Sequence, residues 1–200
     1  QVVDAAIVDG AASLLSAQHQ LMAMGLWRDE REANWLDGAA PFYGVYECSD
    51  GRFVSLGPLE PEFYALLLEK LGLSDDPDMA QTLDASQWPA QRARFAEIFK
   101  AQPCDHWVSL LEGTDVCFAP VLSLEEAAEH PHMKARGVFQ EISGVRQAAP
   151  APRFSATPGA TPGPAPKPGA DTKAALADWG FTEADLDALA KAGAIEPGER

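Results

Sequence analysis

Basic residues are scarce in this sequence. Fifteen Lys and Arg stand against thirty Asp and Glu, a formal charge of −15, and a surface of that sign repels phosphate backbones and anionic lipid headgroups. Nucleic-acid binding and membrane-surface binding are therefore disfavoured. No phosphate cradle offsets the charge, because neither a P-loop nor a G-x-G-x-x-G run occurs. Cysteine is sparse as well. Cys48, Cys104 and Cys117 form an odd set without C-x-x-C spacing, which argues against a disulfide framework or a zinc site and points to a reducing cytoplasm. A long apolar run is also missing: the most apolar stretch, at the start, is broken by Asp4, Asp9, Gln18 and His19, far short of the ~20 residues a spanning helix needs. That stretch has no basic leader, so it does not read as a signal peptide, and the lack of an initiator Met suggests an excerpt.

What is present suffices for a core, since 46% of the 200 residues are hydrophobic, enough for one domain with appendages. From Val2 to Met24 the apolar positions Val3, Ile7, Val8, Ala11, Leu14, Leu15 and Leu21 recur at helical spacing, with Gly25 placed as a stop. One long helix is expected there. Gly10 within it costs roughly 1 kcal/mol, which a close helix contact would explain. After a charged patch, Arg28 to Glu32, the run Asp37-Gly38-Ala39-Ala40-Pro41 reads as a connector. Tyr43 to Glu47 and Arg52 to Leu56 are β-type runs around Asp50-Gly51, a hairpin signal. Pro61 then opens a helix with Phe63, Leu66, Leu67 and Leu71 as its buried stripe and Gly72 as its end.

Further helices are expected at Pro89 to Lys100 and Asp105 to Glu112, a short strand at Val116 to Val121, and a helix at Leu124 to Glu129. Gln147 to Gly169 is rich in Pro, Ala and Gly, with breaker pairs at Pro158-Gly159, Pro162-Gly163 and Pro168-Gly169, and cannot hold a core. Thr172 to Asp178 and Glu183 to Ala192 read as short helices, the second between Thr182 as N-cap and Gly193. The predicted class is α+β: a small α/β domain of hairpin plus helices over 38–140, flanked by a long N-terminal helix and connector (1–37) and by an extended return linker with a helical tail (141–200).

Several segments carry a resemblance. The run Gln1 to Gly10, the run Asn34-Trp35-Leu36-Asp37-Gly38-Ala39-Ala40-Pro41-Phe42-Tyr43 and the run Tyr46 to Val54 are similar to the family III CoA-transferase and racemase superfamily. Leu59-Glu60-Pro61-Glu62-Phe63-Tyr64 resembles its α-methylacyl-CoA racemase branch. Thr114 to Val121, Ala151 to Ser155, Gly169 to Thr172 and Trp179-Gly180-Phe181 continue the pattern, so the likeness spans nearly the whole chain and matches the carboxyl-terminal half of such proteins.

The resemblance implies an enzyme of acyl-CoA and fatty-acid metabolism that inverts the α-carbon of a 2-methylacyl-CoA thioester, with no metal and no cofactor beyond the CoA of its substrate. It implies an interlocked homodimer, in which the small domain of one subunit faces the large domain of the other. Segments 1–37 and 141–200 would then be pieces of an incomplete large domain. Glu60 aligns with the family's catalytic Glu, while the His and Asp opposite it lie upstream of the segment that Gln1 to Gly10 resembles, so these 200 residues alone are expected to be inactive. Leu36 and Tyr43 fall where the family lines its acyl pocket. With so few cations, CoA contacts are expected chiefly from elsewhere.

Two departures stand out, Gly38-Ala39 where the family shows two glycines and Pro58-Leu59 where Ala-Ile precedes the Glu. Each marked residue also has a plainer explanation. Glu60 before Pro61 could merely complement a helix dipole, whereas a base role asks for partial shielding, which Leu56, Leu59 and Phe63 could supply. Tyr43 could simply pack the hairpin. His130-Pro131-His132 has the wrong spacing for two ligands on one helix face, His106 and His19 read as surface, packing or interface residues, and Cys104 and Cys117 as small buried hydrophobes. The competing functions are CoA transfer through an upstream Asp nucleophile and an inactive association module.

Overall fold

The structure, a computed structural model, describes residues 1–80, 83–161 and 163–195; Pro162 of the second breaker pair lies outside them. Backbone contacts divide the chain into two units, Gln1–Leu122 and Ser123–Arg200.

The first unit begins with two helices where one was expected, α1 (Ile7–Leu14) and α2 (Ser16–Ala23). The break falls at Leu15, whose N–H donates back three residues to the Ala12 carbonyl at 3.2 Å, while the Ser16 hydroxyl donates to the Ser13 carbonyl at 2.7 Å. A serine side chain bonded to the backbone in this way competes with the helical ladder. Gly25 does stop α2: it is left-handed at φ 71°, and Leu26 N–H reaches the Leu21 carbonyl at 2.9 Å, closing a Schellman turn. Neither helix buries a residue. A Cβ on Gly10 would meet nothing within 4 Å, so the close contact expected there is not made.

The hairpin forms as predicted, β1 (Gly44–Glu47) and β2 (Phe53–Leu56), with Gly51 left-handed at φ 79° in the turn. Asp50 secures both its neighbours. One carboxylate oxygen accepts from Arg52 N–H at 3.2 Å, and the other accepts from the N–H of Cys104, the first residue of α5 (Cys104–Leu111), at 3.1 Å. The strand β3 (Phe118–Val121) pairs antiparallel with β2, giving a three-stranded sheet in the order β1, β2, β3. Helices α3 (Pro61–Leu71) and α4 (Trp88–Lys100) complete the unit.

The buried side of α3 is Tyr64, Leu67 and Leu68 rather than the expected Phe63, Leu66, Leu67 and Leu71. The stripe turns toward Tyr64 because its hydroxyl finds the Met79 carbonyl at 2.8 Å, which lets a tyrosine be buried without an unmet donor. From there aromatic rings run through the core. Phe42 meets Tyr64 at 5.9 Å, Tyr64 meets Phe95 at 6.3 Å, Phe95 meets Tyr46 at 5.9 Å, Tyr46 stacks on Phe99 at 5.3 Å, and Phe99 meets Trp107 at 4.9 Å.

The second unit starts with α6 (Leu124–Glu129), closed by a capping box between Ser123 and Glu126. A helix and a hairpin follow that the sequence did not announce. Pro131–Arg136 forms α7, and Phe139–Ile142 pairs antiparallel with Val145–Ala148 as β4 and β5. Their turn, Ser143-Gly144, has both residues at positive φ, 52° and 78°, the geometry of a tight hairpin. The Pro-rich stretch carries no helix or strand among its described residues, apart from the end of β5. Helices α8 (Thr172–Asp178) and α9 (Glu183–Lys191) stand where predicted, α9 with the Thr182 cap. No helix among the described residues is long and apolar enough to cross a membrane.

Phe95 is fully buried and touches Tyr46, Tyr64 and Phe99. Phe95→Ala should cost about 3–5 kcal/mol, read from urea unfolding of the two proteins; a loss below about 1 kcal/mol would show that the core repacks around the missing ring.

Candidate functional site

Strand alternation sorts the sheet into two faces. Tyr46, Val54 and Leu56 point into the core, while Val45, Ser55 and Ala119 face outward in one row, since Val45 pairs with Ser55 and Ser55 with Ala119. The row floors an open cavity of about 550 Å³, a size in the usual range for ligand pockets. One wall comes from the 36–38 segment and Tyr43, the other from Gly57 and Cys117. Leu36 and Tyr43, singled out as acyl-pocket residues, thus line one cavity and are each 39% exposed.

The segment read as a plain connector is a hydrogen-bonded clasp. Buried Asn34 accepts the Arg28 N–H at 2.7 Å and returns a bond to the Arg28 carbonyl at 3.0 Å. The same amide donates to the Asp37 carboxylate at 2.8 Å. Asp37 also accepts the backbone N–H of Asn34, Ala33 and Ala39 at 2.9, 3.1 and 3.3 Å. Burial pushes the Asp37 carboxyl up, but the Asn34 amide and the three backbone donors outweigh it and hold the group below the usual carboxylate range. Leu36 and Gly38, on either side of Asp37, are fixed by this clasp. Sequence reasoning passed over it, although an Asn and an Asp three residues apart in a Gly-containing turn are a signal for it.

Glu60 stands at a strand-to-helix elbow. Gly57 N–H donates to the Cys117 carbonyl at 2.9 Å, and Leu59 N–H donates to the Gly57 carbonyl at 2.8 Å, so the chain turns sharply through buried Pro58. Glu60 is the N-cap of α3, with Pro61 at its first position. Its backbone carbonyl accepts from Phe63 and Tyr64 N–H, both at 3.1 Å, but its side chain makes no capping bond. The carboxylate is exposed. The apolar shield expected around it is incomplete, because Leu56 is turned into the core at 4% exposure. Leu59 and Pro61, its chain neighbours, line a second cavity of about 610 Å³ with Trp35 and Trp88.

Cys117 corrects another expectation. It is not a buried filler but an exposed residue lining the first cavity, held at φ 49°, which is uncommon for a side chain with a Cβ. Partial burial and then the negative charges of Glu60 and Asp115 push its thiol up. Cys104 and Cys48 are buried free thiols; burial, reinforced by Cys104, pushes Cys48 up to about 12. His130 is the N-cap of α7, its Nδ1 accepting the His132 N–H at 3.3 Å, and His106 lies edge-on to Trp107. Among the described residues no three His, Cys, Asp or Glu side chains are grouped to hold a metal ion.

The sequence model for CoA-transferase family III matches residues 1–172. The chain belongs to CoA-transferase family III. This family III chain is 38% identical over 192 residues to the alpha-methylacyl-CoA racemase of Mus musculus, which covers 93% of the chain and 49% of the mouse protein. It is 37% identical over 193 residues to the human racemase, with the same coverage. The chain therefore spans about half the length of the curated relatives it matches. A CAIB/BAIF family protein from Brucella suis shares the fold with a TM-score of 0.67 at 22% identity, over 89% of this chain and 48% of that one.

The clasp makes a pH-dependent contribution. A carboxyl held lower in the folded than in the unfolded chain adds stability above its unfolded value, roughly 3.9, and loses it as pH falls through the folded value. The gap in urea midpoint between wild type and Asp37→Asn should be full at pH 6 and close on acidification below that unfolded value. A gap that does not change with pH would mean that the clasp does not favour the ionised form.

Proposed function

We propose that this family III chain supplies one half of the proton-transfer machinery of an isomerase acting on 2-methylacyl-CoA thioesters, with Glu60 as the acid/base on one face of the α-carbon. The observation that carries this reading is the exposed Glu60, its side chain not spent on capping its helix, on an elbow that starts at Gly57, which with Leu36, Tyr43 and Cys117 lines the first cavity. The identity of 37–38% to two alpha-methylacyl-CoA racemases over 93% of the chain supports it.

The α-hydrogen of a thioester is weakly acidic. Its removal needs a base at the carbon and donors at the carbonyl oxygen, where the enolate charge develops. In the proposed reaction the Glu60 carboxylate takes the α-proton from one face, and the C–H electron pair passes into the enolate. A proton then returns to the opposite face from an acid, inverting the centre; run backward, Glu60 in its protonated form delivers the proton instead. The opposing His and Asp would come from residues outside these 200. In an interlocked homodimer Glu60 would serve the partner's substrate, with Leu36 and Tyr43 holding the acyl group. Segments 1–37 and 141–200 would belong to the large domain, and 38–140 to the small domain that presents Glu60. No metal or redox group is needed for this chemistry, and a cytoplasmic setting fits the free thiols.

CoA transfer between acids is the second reading, favoured by the family's own description; it would proceed through an Asp nucleophile outside this chain. Deuterium wash-in separates the two. The native gene product, incubated in D₂O with a 2-methylacyl-CoA, should exchange the α-hydrogen without moving the acyl group to an added acid, and Glu60→Gln should slow that exchange by about 10²- to 10⁴-fold. Near-normal exchange in the variant would remove Glu60 from the mechanism, and acyl transfer without α-exchange would favour the transferase.

A further inference from the structure

The wall that carries Leu36 and Tyr43 is held from behind by a side chain that does not line the cavity. Arg92 projects from α4 and is partly buried. Its Nη1 donates to the Gly38 carbonyl at 2.6 Å, and its guanidinium carbon lies 5.5 Å from the centre of the Tyr46 ring. The same Nη1 would be 2.8 Å from a Cβ built on Gly44. Arg92 thus occupies space that any residue other than glycine at position 44 would contest. The Tyr46 hydroxyl donates in turn to the Pro41 carbonyl at 2.5 Å. The loop from Gly38 to Gly44 is therefore tied at Gly38 and at Pro41, to one cation and to the phenol beneath that cation.

We propose that Arg92 is a positioning residue for the acyl pocket, its guanidinium setting where the 36–44 wall stands over the outer face of the sheet. This rests on the reading of that cavity as the acyl site. Three features point the same way. The bond from a cation to a neutral carbonyl is stronger than a neutral pair. The planar guanidinium can stack on Tyr46 while donating sideways to Gly38, which an ammonium cannot do. The two glycines that the arrangement involves, Gly38 and Gly44, both line the cavity, so a displacement of Arg92 is passed to the wall without an intervening side chain. Arg92 touches no reacting atom, and Glu60 sits on the α3 elbow, apart from this loop. Disturbing the latch should therefore alter how the acyl group is held before it alters proton transfer.

The test uses the native gene product with Arg92→Met, Arg92→Lys and Gly44→Ala, measuring α-exchange kinetics on a 2-methylacyl-CoA and amide hydrogen exchange across residues 36–45. Arg92→Met should raise KM about tenfold with kcat within about twofold, and should speed amide exchange in 36–45 while α3 and α5 stay protected. Arg92→Lys should fall between wild type and Met. Gly44→Ala, which keeps the arginine but crowds it, should reproduce the KM effect, so the assignment does not hang on one variant folding. Wild-type kinetics in both Arg92 variants would overturn the assignment, as would a loss of protection throughout the unit, which marks plain destabilisation. Wild-type protein with no α-exchange would sink the Glu60 reading instead, a result distinguishable from an unmoved KM.

Discussion

The contact on which the first unit depends is the run of rings from Phe42 to Trp107. The six rings come from five pieces of the chain: Phe42 from the loop before β1, Tyr46 from the hairpin, Tyr64 from α3, Phe95 and Phe99 from α4, and Trp107 from α5. Aromatic pairs of this kind contribute roughly 0.5–1.5 kcal/mol each beyond their buried area. Geometry matters more here than the sum. An edge-to-face ring packs in few orientations, so fixing Phe95 fixes the roll of α4 against the sheet, and with it the direction in which Arg92 projects. The polar tips of the run are all satisfied, by Tyr46 on Pro41, Tyr64 on Met79 and Trp107 on the Phe99 carbonyl. Those bonds tie three loops and helix ends to the same core.

The cavity follows from that core. Because Tyr46, Val54 and Leu56 are committed inward, the pleat forces Val45, Ser55 and their row outward, and a row of small and aliphatic side chains makes a shallow apolar floor. The walls depend on polar chemistry instead. Asn34 and Asp37 clasp one wall, and the Gly57 to Cys117 bond closes the other. A site built this way separates stability from shape: the rings hold the sheet, while a few charge-assisted bonds decide where the loops above it lie.

The sequence disclosed what is local. Asp50-Gly51 between alternating runs marks the hairpin, Gly25 and Gly72 mark helix ends, and Thr182 marks a start, because each is a backbone preference of one residue and its neighbours. The resemblance added Glu60, Leu36 and Tyr43, of which the last two line one cavity. What stayed hidden was non-local or polar. The roll of α3 depends on a phenol bonding 15 residues away, and Arg92 acts across 54 residues. The β4–β5 hairpin was missed because its strands are half polar and weakly buried, which leaves little alternation to read. The break at Leu15 comes from a serine bond that carries no hydrophobic signature.

At Glu60 the demands of shape, charge and solvation meet. An exposed carboxylate is well solvated, and a solvated base is a poor match for a weakly acidic carbon, since water stabilises the anion that must give up its charge. Under the proposed function the chain presents the base on a rigid elbow, fixed by Pro58, Pro61 and the Gly57 to Cys117 bond, but does not itself exclude water from it. On that reading the exclusion would come from a surface that covers α3 and the cavity when substrate is bound. Under the same reading, the overall charge of −15 would give that surface a second role, because a chain this acidic repels CoA phosphates at long range and the cations they need would have to come from the covering surface. Under the proposed function, Glu60's exposure and the chain's charge together favour a division of labour in which this acidic element would aim the base and a covering element would dry the site and hold the nucleotide.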